Sequence, residues 1–291
     1  DIQYQIETGE TIALSEPVDF YFLWIGYKDV RYESLQFTMN EYDEEYLQNV
    51  VENFEYTVEK MADYEVDIHI DFHLTEKARE LTFDGEFLYL DHETVKNDIN
   101  KYSENKKYDS VITTVQGEGN DNYERRQEYP EYSEEKYYII LGLCTQSFIN
   151  DYGYSTFNLS EPTEDINYAP EKDVPSLYAT SVAVHEWLHQ FDEVGFSLDV
   201  EYPQVHLYMG GDEYEGYDEY VENEKNYDYF ELYEQILSGT VPYTSPEGES
   251  YKLGLNPRVW QYVKCTDVLV GQYTIYNKTD EAYLGVTEDG E

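Results

Sequence analysis

Residues 176–194, SLYATSVAVHEWLHQFDEV, leave this chain little choice of architecture. Leu177, Ala179, Val182, Ala183, Val184, Trp187, Leu188 and Phe191 spread apolar side chains around almost the whole circumference of a helix. Such a helix is buried inside a core, where polar groups need partners. It nevertheless carries His185, Glu186 and His189 in the order H-E-x-x-H. At about 3.6 residues per turn, His185 and His189 lie one turn apart on one face and can reach a single metal ion. The plainer alternative is a pair of core histidines satisfied by their neighbours.

Zinc is the ion expected here, because imidazole suits it and three protein ligands leave a fourth position for water. A bound water becomes acidic, its pKa falling from about 15.7 to about 7. Glu186, about 100° further round the helix, is placed to take that water's proton and pass it to a leaving amine. This predicts peptide hydrolysis.

A third protein ligand must come from beyond the helix, since no His follows His189 until His206. His206 is the first candidate, because histidine is far rarer here than carboxylate. Asp212, Glu213, Asp218, Glu219, Glu231 and Glu234 are the alternatives, or no third protein ligand at all. Asp192 and Glu193 fit better as helix-end surface or as partners that orient a ligating histidine. A developing oxyanion needs a further donor, for which Tyr208, Tyr214 and Tyr217 lie close to His206 in sequence.

The net charge of −45, from 63 acidic against 18 basic residues, argues against nucleic acid and against anionic membrane surfaces as partners. Such acidity could also harbour structural calcium. The 34 Tyr and 12 Phe supply core area that a disordered acidic chain would lack. No apolar run reaches the roughly 18 residues that a membrane-spanning helix needs. The chain opens at Asp1 without an initiator Met or signal peptide, which fits a mature secreted product. Cys144 and Cys265 could form one bridge or remain two buried thiols.

Along the chain, 18–25 (VDFYFLWI) reads as a buried strand and 43–61 has helical apolar spacing. Residues 65–74 (EVDIHIDFHL) alternate strictly, which predicts a half-buried strand whose D-H-D-H face is solvated. The order strand, helix, strand suggests an α/β start. A short apolar run follows at 87–90, then a helix capped by Asp91 and running to Tyr102, then a strand at 109–115. Residues 116–136 are polar and read as a long loop. Residues 137–144 (YYIILGLC) predict a strand, along whose edge a substrate could lie, and some thirty residues of loop follow. Pro175 stands just before the helix described above and gives it a firm start, and Gly195 reads as its stop. A second amphipathic helix is expected at 227–237, ending at Gly239, then a loop at 246–254 and a short apolar segment at 259–263.

HEWLHQFDEVG, VHLYMGGDEYEGYDEY and YDYFELYEQILSGTV, within 176–257, resemble secreted bacterial zinc metallopeptidases of the zincin superfamily. The resemblance implies an α+β zincin-like fold: a twisted mixed sheet, an active-site helix beneath it and a smaller helical C-terminal subdomain. It makes His185, His189 and His206 the ligands, Glu186 the general base, and Tyr217 or Tyr214 the phenol at the reacting carbonyl. The GGDEYEGY loop is longer than that pattern. The catalytic domain is expected over 1–265, divided near 194/195. Residues 271–291 (GQYTIYNKTDEAYLGVTEDGE) are similar to the opening hairpin of a ricin-type lectin repeat, which makes 266–291 either the truncated start of a carbohydrate-binding module or an ordinary terminal hairpin. The expected activity is secreted zinc-dependent endopeptidase action on extracellular proteins or glycoproteins. The alternatives are a non-catalytic glycan- or protein-binding module on the same scaffold, or a calcium-stabilised structural module.

Overall fold

The run beginning at Val18 is apolar at nearly every position, the pattern of a strand covered on both faces. It takes the central region of the sheet. In the computed structural model the chain forms β1 (Val18–Tyr27), β2 (Asp29–Tyr32), β3 (Leu35–Thr38), α1 (Glu41–Met61), β4 (Val66–Thr75), β5 (Arg79–Glu80), β6 (Thr82–Phe83), β7 (Leu88–Tyr89) and α2 (His92–Tyr102). It continues through β8 (Ser110–Val115), β9 (Gly142–Gln146), β10 (Gly153–Asn158), α3 (Pro175–Leu198), α4 (Tyr229–Leu237), β11 (Val241–Thr244), β12 (Ser250–Leu253), β13 (Ile275–Asn277) and β14 (Ala282–Leu284). The structure describes residues 17–104, 107–117, 139–148, 152–159, 175–198, 202–206, 229–255, 259, 260, 263, 275–277 and 282–284. At 175–178, 193–198, 229, 275–277 and 282–284 it describes the backbone alone.

The main sheet has the order β4-β1-β8-β10-β9. Its first four strands are mutually parallel, and β9 runs antiparallel along the outer edge of β10. The class is α+β with a mixed sheet. Alternation along β1 divides the core. Phe20, Phe22 and Trp24 pack with α1, α3 and α4, whereas Leu23, Ile25 and Tyr27 pack on the other side with Val95 and Ile99 of α2. Asn40 caps α1, its side chain accepting from the Tyr42 and Asp43 amides while Asp43 accepts from the Asn40 amide. This reciprocal capping starts the helix at Glu41, two residues before the acidic cluster suggests. Asp91 caps α2 as expected, accepting from the Glu93 amide.

Helix α3 is held in one rotational setting by Trp187. The ring is fully buried and packs on Phe22 and Phe54, stacking on Trp260 with centroids 5.6 Å apart. Residues two positions apart on a helix project about 200° from one another, so seating Trp187 in the core turns His185 and His189 away from it. A polar clamp adds to this. Ser110 donates to Gln190 Oε1 at 2.7 Å, Gln190 Nε2 donates to Ser155 Oγ at 2.8 Å, and Ser155 donates to the Glu186 carbonyl at 2.6 Å. Gln190 is fully buried. Gln190→Leu is expected to strand the Ser110 hydroxyl and to cost about 1–3 kcal/mol. At roughly 2–4 °C per kcal/mol for a chain of this size, thermal melting checks this as a fall of several degrees.

Several sequence expectations are corrected. The loop expected after residue 144 contains β10, which is buried at all six positions. Its sequence, GYSTFN, has no apolar signature because its polar groups are met by distant partners. The Tyr154 hydroxyl lies 2.8 Å from Thr113 Oγ1 and 2.7 Å from the Leu90 carbonyl, and Asn158 Oδ1 accepts from the Gly117 amide. The strand expected at 137–144 starts on the main sheet only at Gly142. Ile139 and Ile140 instead bond to Leu88 of β7, and 137–138 lie outside the described residues. Pro175 is the first residue of α3 rather than its forerunner, and the helix passes Gly195 to end at Leu198. Glycine permits a stop but enforces one only where a left-handed residue is needed. The loop expected at 246–254 holds β12, paired with β11. Gly239, by contrast, does close α4, with φ +65°.

The outer face of β4 is not simply solvated. His73 stacks on Tyr102, Asp71 accepts from Tyr108 at 2.7 Å, and His69 Nε2 lies 2.7 Å from Asp19 Oδ1 on β1. The C-terminal segment does pair as a hairpin, β13 with β14. The greater part of the long polar stretch, 118–136, lies outside the described residues, as does Cys265. Among the described residues Cys144 is a free cysteine. No helix among them is long and apolar enough to cross a membrane.

Candidate metal centre

Two turns of α3 and one short segment make the site. His185 and His189 project from the helix with Nε2 atoms 3.1 Å apart. His206, from the segment 202–206, brings its Nε2 to 3.1 Å from that of His185. The three potential ligand atoms all lie within 4.8 Å of one another. The structure therefore brings together the three histidines that the sequence singles out.

Each helix histidine is tied at its other nitrogen. His189 Nδ1 lies 2.6 Å from Asp192 Oδ2 and His185 Nδ1 lies 2.7 Å from the Tyr233 hydroxyl of α4. A carboxylate only accepts, so His189 Nδ1 is the donor in this contact and its Nε2 faces the other histidines. Asp192 also accepts from the Val205 amide through Oδ1, at 3.4 Å. One carboxylate thus orients the second histidine and anchors the segment that delivers the third.

Protonation at the cluster follows from burial and charge. Burial pushes the His185 imidazolium well below its ordinary range, and the neighbouring His189 and His206 push it the same way. His206 is lowered by burial and then by His189. Burial would also lower His189, but the hydrogen bond and charge of Asp192 more than offset it, and the net shift is upward. Burial thus favours the neutral imidazole at His185 and His206. Imidazole nitrogens converging on one point suit a divalent transition metal.

Glu186 sits beside the cluster, its Oε1 4.0 Å from His185 Nε2 and its side chain only 10% exposed. Burial raises its pKa to about 7, partly opposed by His189 and reinforced by Asp192. The histidines and Glu186 border a cleft of about 570 Å³, whose other wall is β9 with Gly142, Cys144 and Gln146. The Cys144 thiol is pushed up to about 12, mainly by burial, so it stays protonated and is a poor nucleophile.

Among the alternative third ligands, Glu231 and Glu234 are exposed on α4 and do not join the cluster. Asp212, Glu213, Asp218 and Glu219 lie outside the described residues, as do Tyr208, Tyr214, Tyr217 and the side chain of Glu193. Tyr233 is the site residue that sequence reasoning missed. It lies on the buried face of the expected second helix, but nothing local separates it from the many other tyrosines. A second group, Asp19, Asp67 and His69, is also close enough to share an ion. It lies at the solvent edge of the sheet, with both aspartates exposed.

No protein-family model, curated protein or solved structure matches the chain. Fold and site alone therefore define its class: an α+β protein with a mixed sheet and a three-histidine pocket able to hold a metal ion, beside a buried carboxyl group.

Proposed function

We propose that the chain is a secreted zinc-dependent endopeptidase with a zincin-like fold, divided into upper and lower parts near residue 194. The observation that carries this reading is the convergence of three Nε2 atoms next to Glu186, facing a cleft walled by an edge strand. Two imidazole nitrogens on one tetrahedral zinc ion, each about 2.0–2.1 Å from it, stand about 3.3 Å apart. The 3.1 Å spacings match this within a few tenths of an ångström.

His185, His189 and His206 would hold zinc, with Tyr233 and Asp192 orienting the first two. When bound, zinc supplies Lewis acidity that makes water more acidic and polarises a carbonyl group. Glu186 accepts a proton from the attacking water at its carboxylate. The water oxygen bonds to the scissile carbon, the C–N bond breaks, and Glu186 returns the proton to the departing amine. Because β9 pairs only with β10 among the described strands of the main sheet, its outer edge has backbone groups to offer an extended polypeptide. Tyr217 and Tyr214 are the proposed phenol donors to the oxyanion, and the 275–284 hairpin is a proposed start of a carbohydrate-binding module.

The test is zinc content and casein cleavage by the purified chain. One zinc per chain, loss of cleavage on chelation and its return with added zinc are expected. Zinc without turnover in any protein or glycoprotein mixture would support the binding-module alternative instead. Asp192→Ala is expected to weaken zinc binding by about 10–100-fold, the usual effect of losing an orienting partner. Competition against a chromophoric chelator measures this, and an unchanged affinity would remove Asp192 from the site.

A further inference from the structure

We infer that Gly142 is a positioning residue for Glu186, an inference that rests on the peptidase reading above. A Cβ built on Gly142 would stand 2.3 Å from Glu186 Cγ and 2.4 Å from both Cδ and Oε1. The backbone of β9 therefore presses directly against the proposed general base. Gly142 does not have the positive φ that would itself call for glycine. What the position requires is the empty space.

Both sides of this contact are pinned. The β9 backbone is paired with β10, Gly142 opposite Phe157, and the Asn158 amide donates to the Leu141 carbonyl at 2.8 Å. The Glu186 carbonyl accepts from Ser155, also on β10, at 2.6 Å. One strand thus holds the glycine and the acid at a common spacing. If a methyl group occupies that gap, the part free to yield is the Glu186 side chain from Cγ outward. The three atoms nearest the added carbon all belong to Glu186. The close approach therefore falls first on the carboxyl side chain.

Gly142→Ala tests this. Zinc stoichiometry and affinity should match wild type, and Tm should fall by at most several degrees as the buried Glu186 side chain yields from Cγ outward. The kcat should fall about 100-fold, the scale attached to misplacing a reacting group by an ångström, with KM within about threefold. A kcat within threefold of wild type, or loss of zinc together with activity, would overturn the inference. Should Gly142→Ala fail to fold, Gly142→Ala/Glu186→Ala removes the clashing side chain. A folded, zinc-binding double variant supports the contact and an unfolded one refutes it. If wild type cleaves no peptide, the peptidase reading fails separately. A crystal structure of Gly142→Ala then decides the positioning claim, a displaced Glu186 carboxyl supporting it and an unmoved one ending it.

Discussion

Glu186→Gln is expected to lower kcat for casein cleavage by about 10²–10⁴-fold, the range for loss of a general acid–base group, while the protein still binds one zinc per chain. Glutamine has nearly the same shape and fills the same space against Gly142, so the His185, His189 and His206 geometry is undisturbed. It cannot accept a proton from water at neutral pH. The substitution also removes an ionisable group that is only 8% exposed, whose charged form burial penalises. Tm is therefore expected to hold or rise. Equal cleavage by wild type and Glu186→Gln would end the peptidase reading, whatever the metal content.

The second large effect concerns the third histidine. His206→Ala is expected to weaken zinc binding by more than the roughly 10–100-fold assigned to an orienting partner, leaving the chain substoichiometric in zinc after dialysis. The two remaining imidazoles come from one helix and approach the ion from one side, so no other histidine among the described residues closes the site opposite them. Zinc raises stability by RT ln(1 + [zinc]/Kd), about 4 kcal/mol at a thousandfold excess over Kd. The zinc-dependent rise in Tm should therefore vanish in His206→Ala at concentrations that saturate wild type. Glu231→Ala and Glu234→Ala, at exposed positions on α4, should retain wild-type zinc content. If Glu231→Ala or Glu234→Ala lost zinc while His206→Ala kept it, the assignment of the third ligand would be reversed.

Much of the fold was legible because the signals were local. The unbroken apolar run at β1, the alternation of β4, the Asp91 cap and the helical spacing of α1 each follow from residues a few positions apart. Strand β10 was not legible, because Ser155 and Asn158 are buried at no evident cost only when Gln190, the Glu186 carbonyl and the Gly117 amide are already in place. The extent of β9 differs from the sequence expectation for a related reason. Ile139 and Ile140 are apolar enough for the main sheet but spend their bonds on Leu88. The end of α3 shows the limit of punctuation by single residues, since Gly195 allows a stop that the backbone does not take.

By itself, the sequence determined that a buried helix must carry His185, Glu186 and His189 on neighbouring faces, since the helical repeat sets that geometry within a single element. It also ranked His206 ahead of the carboxylates by rarity alone. Only the tertiary structure decided that His206 closes on the other two, that Tyr233 and Asp192 tie back their rings, and that Gly142 clears the space for the acid. Those relations join residues up to 48 positions apart, as with His185 and Tyr233. Such contacts depend on how strands and helices stack, which no periodicity along the chain encodes.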